Sequence, residues 1–164
     1  MIVKVPKAKR AKGMIFVHRS LLSILLLMFP VFLPAQTAAD LETVLQAPAI
    51  TCEQAAWFTL AVALDEPPAN PQAAFALALE RGWLPAGARD TTPITCGGLA
   101  YLMMKAFDLT GGMMYRLTGN RRYAYREMKS RGYITGRVYS GLAVSGEQFL
   151  QILGNVTDDE GAAR

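Results

Sequence analysis

Apolar and polar residues follow a helical rhythm through most of the chain. Residues 55–64, Ala-Ala-Trp-Phe-Thr-Leu-Ala-Val-Ala-Leu, are apolar nearly all round, which is the pattern of a central, buried helix. Thr51 before this run, with Gln54 three residues on, has capping-box spacing and predicts a helix over 51–64. A second helix is predicted over 71–81, capped by Asn70, opened by Pro71 and ended by Gly82. A third, over 96–108, follows Thr95, with Gly97 and Gly98 weakening its first turn. A fourth spans 121–131 between Asn120 and Gly132. A fifth spans 146–153, with Ser145 and Gln148 again at capping-box spacing and Gly154 as its stop. Residues 109–119 carry Leu-Thr-Gly twice around Met-Met-Tyr-Arg and read as a turn with at most one short helix. No segment alternates with a period of two, so strands are expected to be few and short. The expected class is mainly α, a compact domain of about five helices.

These elements repeat. At an offset of 50 residues, Ala74 falls on Ala124, Phe75 on Tyr125, Arg81 on Arg131, Gly82 on Gly132, Trp83 on Tyr133, Leu84 on Ile134 and Thr95 on Ser145. Gly caps and Thr/Ser caps recur in any helical protein, but a shared spacing together with the aromatic and aliphatic matches indicates a true unit. The unit is helix, Arg-Gly-aromatic-aliphatic, loop, Thr/Ser N-cap, helix. A partial copy precedes it, because Ile50-Thr51-Cys52 echoes Ile94-Thr95-Cys96. Two full repeats and one partial one result, in which Cys52, Cys96 and Gly146 are equivalent.

Charge separates the N-terminus from this domain. The whole chain is +4, yet residues 1–39 hold Lys4, Lys7, Lys9, Arg10, Lys12 and Arg19 with no acid. An apolar run Leu21–Leu33 follows, then Pro-Ala-Gln-Thr-Ala-Ala. The order reads as a bacterial export signal over 1–39, cut near Ala35 or Ala39, with Met14 as an alternative start. Pro30, Pro34 and a run shorter than the roughly 20 apolar residues of a spanning helix speak against an uncleaved anchor. The expected organisation is a signal over 1–39, a helical domain over 40–156 and a flexible tail over 157–164. The expected location is periplasmic or cell-envelope associated, with membrane contact only through the signal segment if it stays uncleaved. Nucleic acid is not expected as a partner there.

Export would remove His18, the one histidine, and with it Ser-His, Cys-His and His-metal chemistry. No phosphate loop, nucleophile elbow or metal motif is present, and no metal or cofactor is expected. Cys52 and Cys96 open two equivalent helices. They read as a disulfide candidate, as free buried thiols, or as thiols activated by a helix N-terminus.

On the repeat residues the chain resembles the S-layer homology (SLH) domain. Its loops stand here as Gly82-Trp83-Leu84-Pro85-Ala86-Gly87 and Gly132-Tyr133-Ile134-Thr135-Gly136, the second one residue shorter. Its helix openings stand as Ile50-Thr51-Cys52-Glu53-Gln54, Ile94-Thr95-Cys96-Gly97-Gly98 and Val144-Ser145-Gly146-Glu147-Gln148. The resemblance covers residues 50–154 and implies three second helices bundled about a pseudo-threefold axis. It also implies a non-catalytic role in attachment to a cell-envelope polymer. The family's ligand-contacting Arg position is occupied by Cys52, Cys96 and Gly146, and its Glu position by Gln54, Gly98 and Gln148. The family's binding chemistry therefore does not carry over.

The strongest local candidate for binding is the stretch 115–139. It holds Arg116, Arg121, Arg122, Arg126, Lys129, Arg131 and Arg137 against Glu127 alone, interleaved with Tyr115, Tyr123, Tyr125, Tyr133 and Tyr139. Arg122, Arg126 and Lys129 share a helical face. The candidate site is Arg116, Arg121, Arg122, Tyr123, Arg126, Lys129, Arg131 and Arg137, suited to an anionic glycan, peptidoglycan or lipid headgroup. The alternative is a solvated helix face whose Arg and Tyr stems cover core. Met103, Met104, Met113 and Met114 are expected in the core with Trp57, Phe58, Trp83 and Phe107. The function expected is an exported, non-catalytic envelope binding or structural module, or else a protein-interaction subunit of an envelope assembly.

Overall fold

Three extended-to-helix transitions, at Thr51, Thr95 and Ser145, organise the molecule. In the computed structural model, which describes residues 33–136 and 138–162, Thr51 and Thr95 have nearly the same backbone, φ −82°, ψ 163° and φ −83°, ψ 157°. Each cap does the same work. Thr51 Oγ1 accepts from Gln54 N at 3.2 Å, Thr95 Oγ1 from Gly98 N at 3.2 Å, and Ser145 Oγ from Gln148 N at 3.3 Å. Only Thr51 completes a capping box, its own N–H donating to Gln54 Oε1 at 3.0 Å. At Thr95 the reciprocating position is Gly98, which has no side chain to offer.

The described residues form seven helices: α1 Leu33–Gln46, α2 Cys52–Ala63, α3 Pro71–Glu80, α4 Cys96–Ala106, α5 Met113–Thr118, α6 Arg121–Ser130 and α7 Gly146–Ala162. No strand is found among these residues, only isolated antiparallel bridges pairing Thr51 with Pro93 and Thr95 with Ala143. The mainly helical expectation holds; α5 is the short helix allowed for between the third and fourth predicted helices, and α1 is additional to the expectation. Residues 40–164 form one compact unit. Residues 1–32 of the expected signal segment over 1–39 lie outside the described residues, and α1 runs through both candidate cleavage points, Ala35 and Ala39.

The residues before the three caps close a ring. Ile50 N–H donates to Val144 O at 2.9 Å, Val144 N–H to Ile94 O at 3.1 Å, and Ile94 N–H to Ile50 O at 3.0 Å. Their side chains are buried together. A second tier runs around the ring in the opposite sense. The first helical N–H groups, which have no partner within their own helices, are satisfied by the segment leading into the next start around the ring. Cys52 N bonds Thr92 O at 2.8 Å, Cys96 N bonds Leu142 O at 2.8 Å, and Gly146 N bonds Ala47 O at 2.9 Å. The end of α1 thus supplies to α7 what the two long loops supply to α2 and α4.

The turns that end α3 and α6 match bond for bond in the two full repeats. Gly82 and Gly132 take left-handed φ of +68° and +82°, a conformation that costs glycine little. Trp83 and Leu84 N–H both reach Ala78 O, at 2.8 and 3.3 Å, while Tyr133 and Ile134 N–H reach Met128 O at 3.0 and 3.3 Å. This directs Leu84 and Ile134 inward, where both are buried. Helix α2 packs on α3 as α4 packs on α6, and α2 meets α4. Phe149 of α7, wholly buried, stands edge-on to Phe58 with ring centroids 6.3 Å apart.

Two expectations are corrected. Helix α7 does not stop at Gly154 but continues to Ala162, so residues 157–162 are helical rather than a loose tail. The extension is tied down by contacts that a local reading cannot see. Val156 is fully buried, Asn155 Nδ2 donates to Tyr133 O at 3.0 Å, and the Tyr133 hydroxyl donates to Asp159. These outweigh the roughly 1 kcal/mol penalty of one interior glycine. The methionine cluster also divides. Met103 and Met104 are core, whereas Met113 is 79% exposed and Met114 45%.

Candidate functional site

Helix α6 presents its charges because its inner face is fixed by packing. Asn120 caps it, Oδ1 accepting from Arg122 N at 2.9 Å, and Ala124, Tyr125 and Met128 bury one side. At helical spacing this places Arg122, Arg126 and Lys129 on the opposite flank, all exposed. They line an open groove of about 500 Å³ with Tyr125, Val138, Tyr139 and Ser140. Tyr125 forms the floor, its hydroxyl donating to Val138 O and so tying the loop 138–140 to the helix. Lys129 Nζ lies 3.5 Å from the Tyr125 hydroxyl and 5.7 Å from its ring centre. Tyr139 is 73% exposed and forms an aromatic wall.

The groove lining contains three cations, two aromatic rings and no carboxylate. Among the described residues none of the three cations is paired with an acid. Each retains free N–H donors, and an Arg guanidinium can take phosphate or carboxylate through two parallel bonds. The tyrosine rings offer flat apolar faces of the kind that stack on a sugar ring.

The eight predicted site residues do not form one site. Arg122, Arg126 and Lys129 converge on the groove. Arg131 is occupied structurally, its Nε 3.3 Å from Glu127 Oε1 and its guanidinium bonded to Thr110 O. Arg121 is half-buried over Tyr101, 5.8 Å from the ring centre, with its Nε buried and unpartnered. Tyr123 lines a separate cleft between α5 and α6, under Arg126 at 6.0 Å. Arg116 lies on α5 in a third recess, with Lys105 and Asp108. Arg137 lies outside the described residues. Tyr125, Val138, Tyr139 and Ser140 were not among the predicted site residues. The interleaving of tyrosines with cations pointed toward Tyr125 and Tyr139, but only the hydroxyl bond to Val138 shows that the two segments meet.

Cys52 and Cys96 are free, buried thiols, so the disulfide candidate is not realised. Equivalence on a ring separates them. Cys96 faces a small cleft with Ile134, Val138, Gln148 and Ile152 and feels the charge of Lys129, whereas Cys52 feels Arg121. Burial pushes the Cys96 thiol up to about 11 and raises Cys52 in the same direction, with the neighbouring cation opposing less strongly in each case. The helix N-termini that favour a thiolate therefore lose to desolvation, and neither thiol is poised as a nucleophile.

Among the described residues no cluster of His, Cys, Asp and Glu could hold a metal ion, and no helix is long and apolar enough to cross a membrane. Compared with protein-family models, curated proteins and solved structures, the chain matches none.

Proposed function

We propose that the protein is a non-catalytic binding module of the cell envelope, built on degenerate SLH-like repeats, that holds an anionic glycan in the α6 groove. The observation that carries this reading is the convergence of Arg122, Arg126 and Lys129, all without acidic partners, on a groove walled by Tyr125 and Tyr139. Phosphate or carboxylate groups on the polymer pair with the cations, and a sugar ring lies against Tyr139. Support for export comes from the basic leader and apolar run of residues 1–39. The cyclic arrangement of helix starts at Thr51, Thr95 and Ser145 is what SLH-like repeats would require.

The test is sedimentation with purified cell-wall polymer. Wild-type protein is retained at low salt and released as salt rises, because exposed charges are screened. Arg122→Glu with Arg126→Glu abolishes retention while leaving the melting temperature close to wild type. Undiminished retention of that double variant would overturn the proposal.

A further inference from the structure

The connection between the paired helices differs sharply in the two repeats. Residues 64–70 suffice to join α2 to α3, but residues 107–120, twice as many, join α4 to α6. The additional length builds α5, a helix for which the first repeat has no counterpart. Its one buried side chain is Tyr115, which lies edge-on to Tyr101 with centroids 6.4 Å apart and covers the backbone of Gly111, where a Cβ would come within 2.1 Å of its ring. The other apolar side chains of α5 face solvent. Met113 is 79% exposed, Leu117 80% and Met114 45%. One tyrosine anchors this insertion, and the rest of its apolar surface projects outward.

Cations flank the projection on both sides. Arg116 and Lys105 line the recess on one side, with Asp108, and Arg126 lines the cleft on the other, with Glu127. Glu127 is already paired with Arg131. A protruding apolar tip with a basic flank fits an interfacial bilayer surface, where apolar side chains enter the headgroup boundary and cations meet lipid phosphate.

We propose that α5 is a docking insertion for an anionic lipid surface, with Met113 and Leu117 entering the headgroup region and Arg116 and Arg126 pairing with phosphate. This shares Arg126 with the glycan reading but rests on a different surface, the exposed apolar face of α5 and the cleft beside it. The test places an environment-sensitive fluorophore on Leu117→Cys in the full chain, with Gln72→Cys on α3 as its control. The vesicles are phosphatidylcholine alone, or equal parts phosphatidylcholine and phosphatidylglycerol.

On anionic vesicles the probe at 117 shifts to the blue and its quenching by iodide falls at least about threefold, as burial in the interface requires. It does neither on neutral vesicles, and the probe at 72 changes in neither case. Met113→Asp in the labelled protein removes the shift without lowering the melting temperature. Arg122→Gln with Lys129→Leu, which strips the glycan groove of the cations it does not share with the α5 cleft, leaves the shift in place. Equal responses at 117 and 72 would overturn the proposal. So would continued iodide access at 117 on anionic vesicles, or burial of the 117 probe only in a complex with a co-purifying protein.

Discussion

Helices α3 and α6 hold equivalent places in the two repeats and bury the same side. Ala74, Phe75 and Ala78 of α3 answer Ala124, Tyr125 and Met128 of α6. Their outer faces part company. Gln72, Ala76 and Leu79 stand where α6 has Arg122, Arg126 and Lys129, and Arg89 stands where the second repeat has Tyr139. The fold plainly tolerates a neutral outer face, because α3 has one. Packing therefore does not demand the three cations of α6, and that is the strongest ground for assigning them a ligand. Equivalent positions under equal structural constraint separate residues kept for the fold from residues free to serve something else.

The comparison breaks most completely at the third helix start. Gly146 is equivalent to Cys52 and Cys96, yet a Cβ there would lie 1.5 Å from Val44 O. Backbone cannot yield as a flexible side chain can. Gly146→Cys, which would make the three starts alike, is expected to cost more than about 4 kcal/mol or to prevent folding. Urea denaturation checks this, and a near-normal midpoint would show that α1 does not close the ring as described.

Next in size are the paired core positions Ala78 and Met128, both fully buried. Met128→Ala should cost about 2–5 kcal/mol by leaving a cavity. Ala78→Met should cost about 1–3 kcal/mol by overpacking. If the two substitutions proved neutral, the inner faces would be less specific than the matching bonds to Trp83 and Tyr133 imply.

A smaller effect concerns the thiols at the two equivalent starts. In the folded state Cys96 is raised from 9.0 to about 11 by burial. Its thiolate is disfavoured only in the fold, so this contribution to stability is complete below pH 9. It is lost as pH rises toward about 11. Cys96→Ala should therefore show a shallower fall in stability between pH 8 and about 11 than wild type, measured by chemical denaturation. A thiol reagent should label neither cysteine until the protein unfolds. Rapid labelling of native protein would contradict the buried placement.

The smallest stability change is expected where the functional change is largest. Exchanging the α6 outer face for that of α3 alters only exposed side chains. It should move stability by no more than about 0.5 kcal/mol.

The caps were the most legible part of the fold. Thr51, Thr95, Ser145, Asn70 and Asn120 each open the helix that local chemistry predicts, and the offset between Gly82 and Gly132 is a true geometric repeat. Legibility failed where distant contacts decide the outcome. Gly154 reads as a stop, but Asn155 and Asp159 find a partner in Tyr133 of the loop after α6, Val156 is buried, and together they carry the helix on. Met113 and Met114 read as core because composition does not say which side of a short helix is anchored, and Tyr115 anchors the other side. In the candidate site the helical spacing of Arg122, Arg126 and Lys129 was visible. The uncoupling of Arg121 from that face was not, because Tyr101 is brought to it only by tertiary packing; Arg131 pairs with Glu127 at a visible spacing of four, and only its bond to Thr110 O depends on distant contacts.

The most direct test of the account is the exchange of outer faces, read by retention on cell-wall polymer at low salt. One variant carries Arg122→Gln, Arg126→Ala and Lys129→Leu, giving α6 the face of α3. Its control carries Gln72→Glu and Ala76→Glu on α3. The account predicts that the first variant folds normally and is no longer retained, while the control binds as wild type. Retention of the first variant at the wild-type level, or equal loss in both, would contradict it.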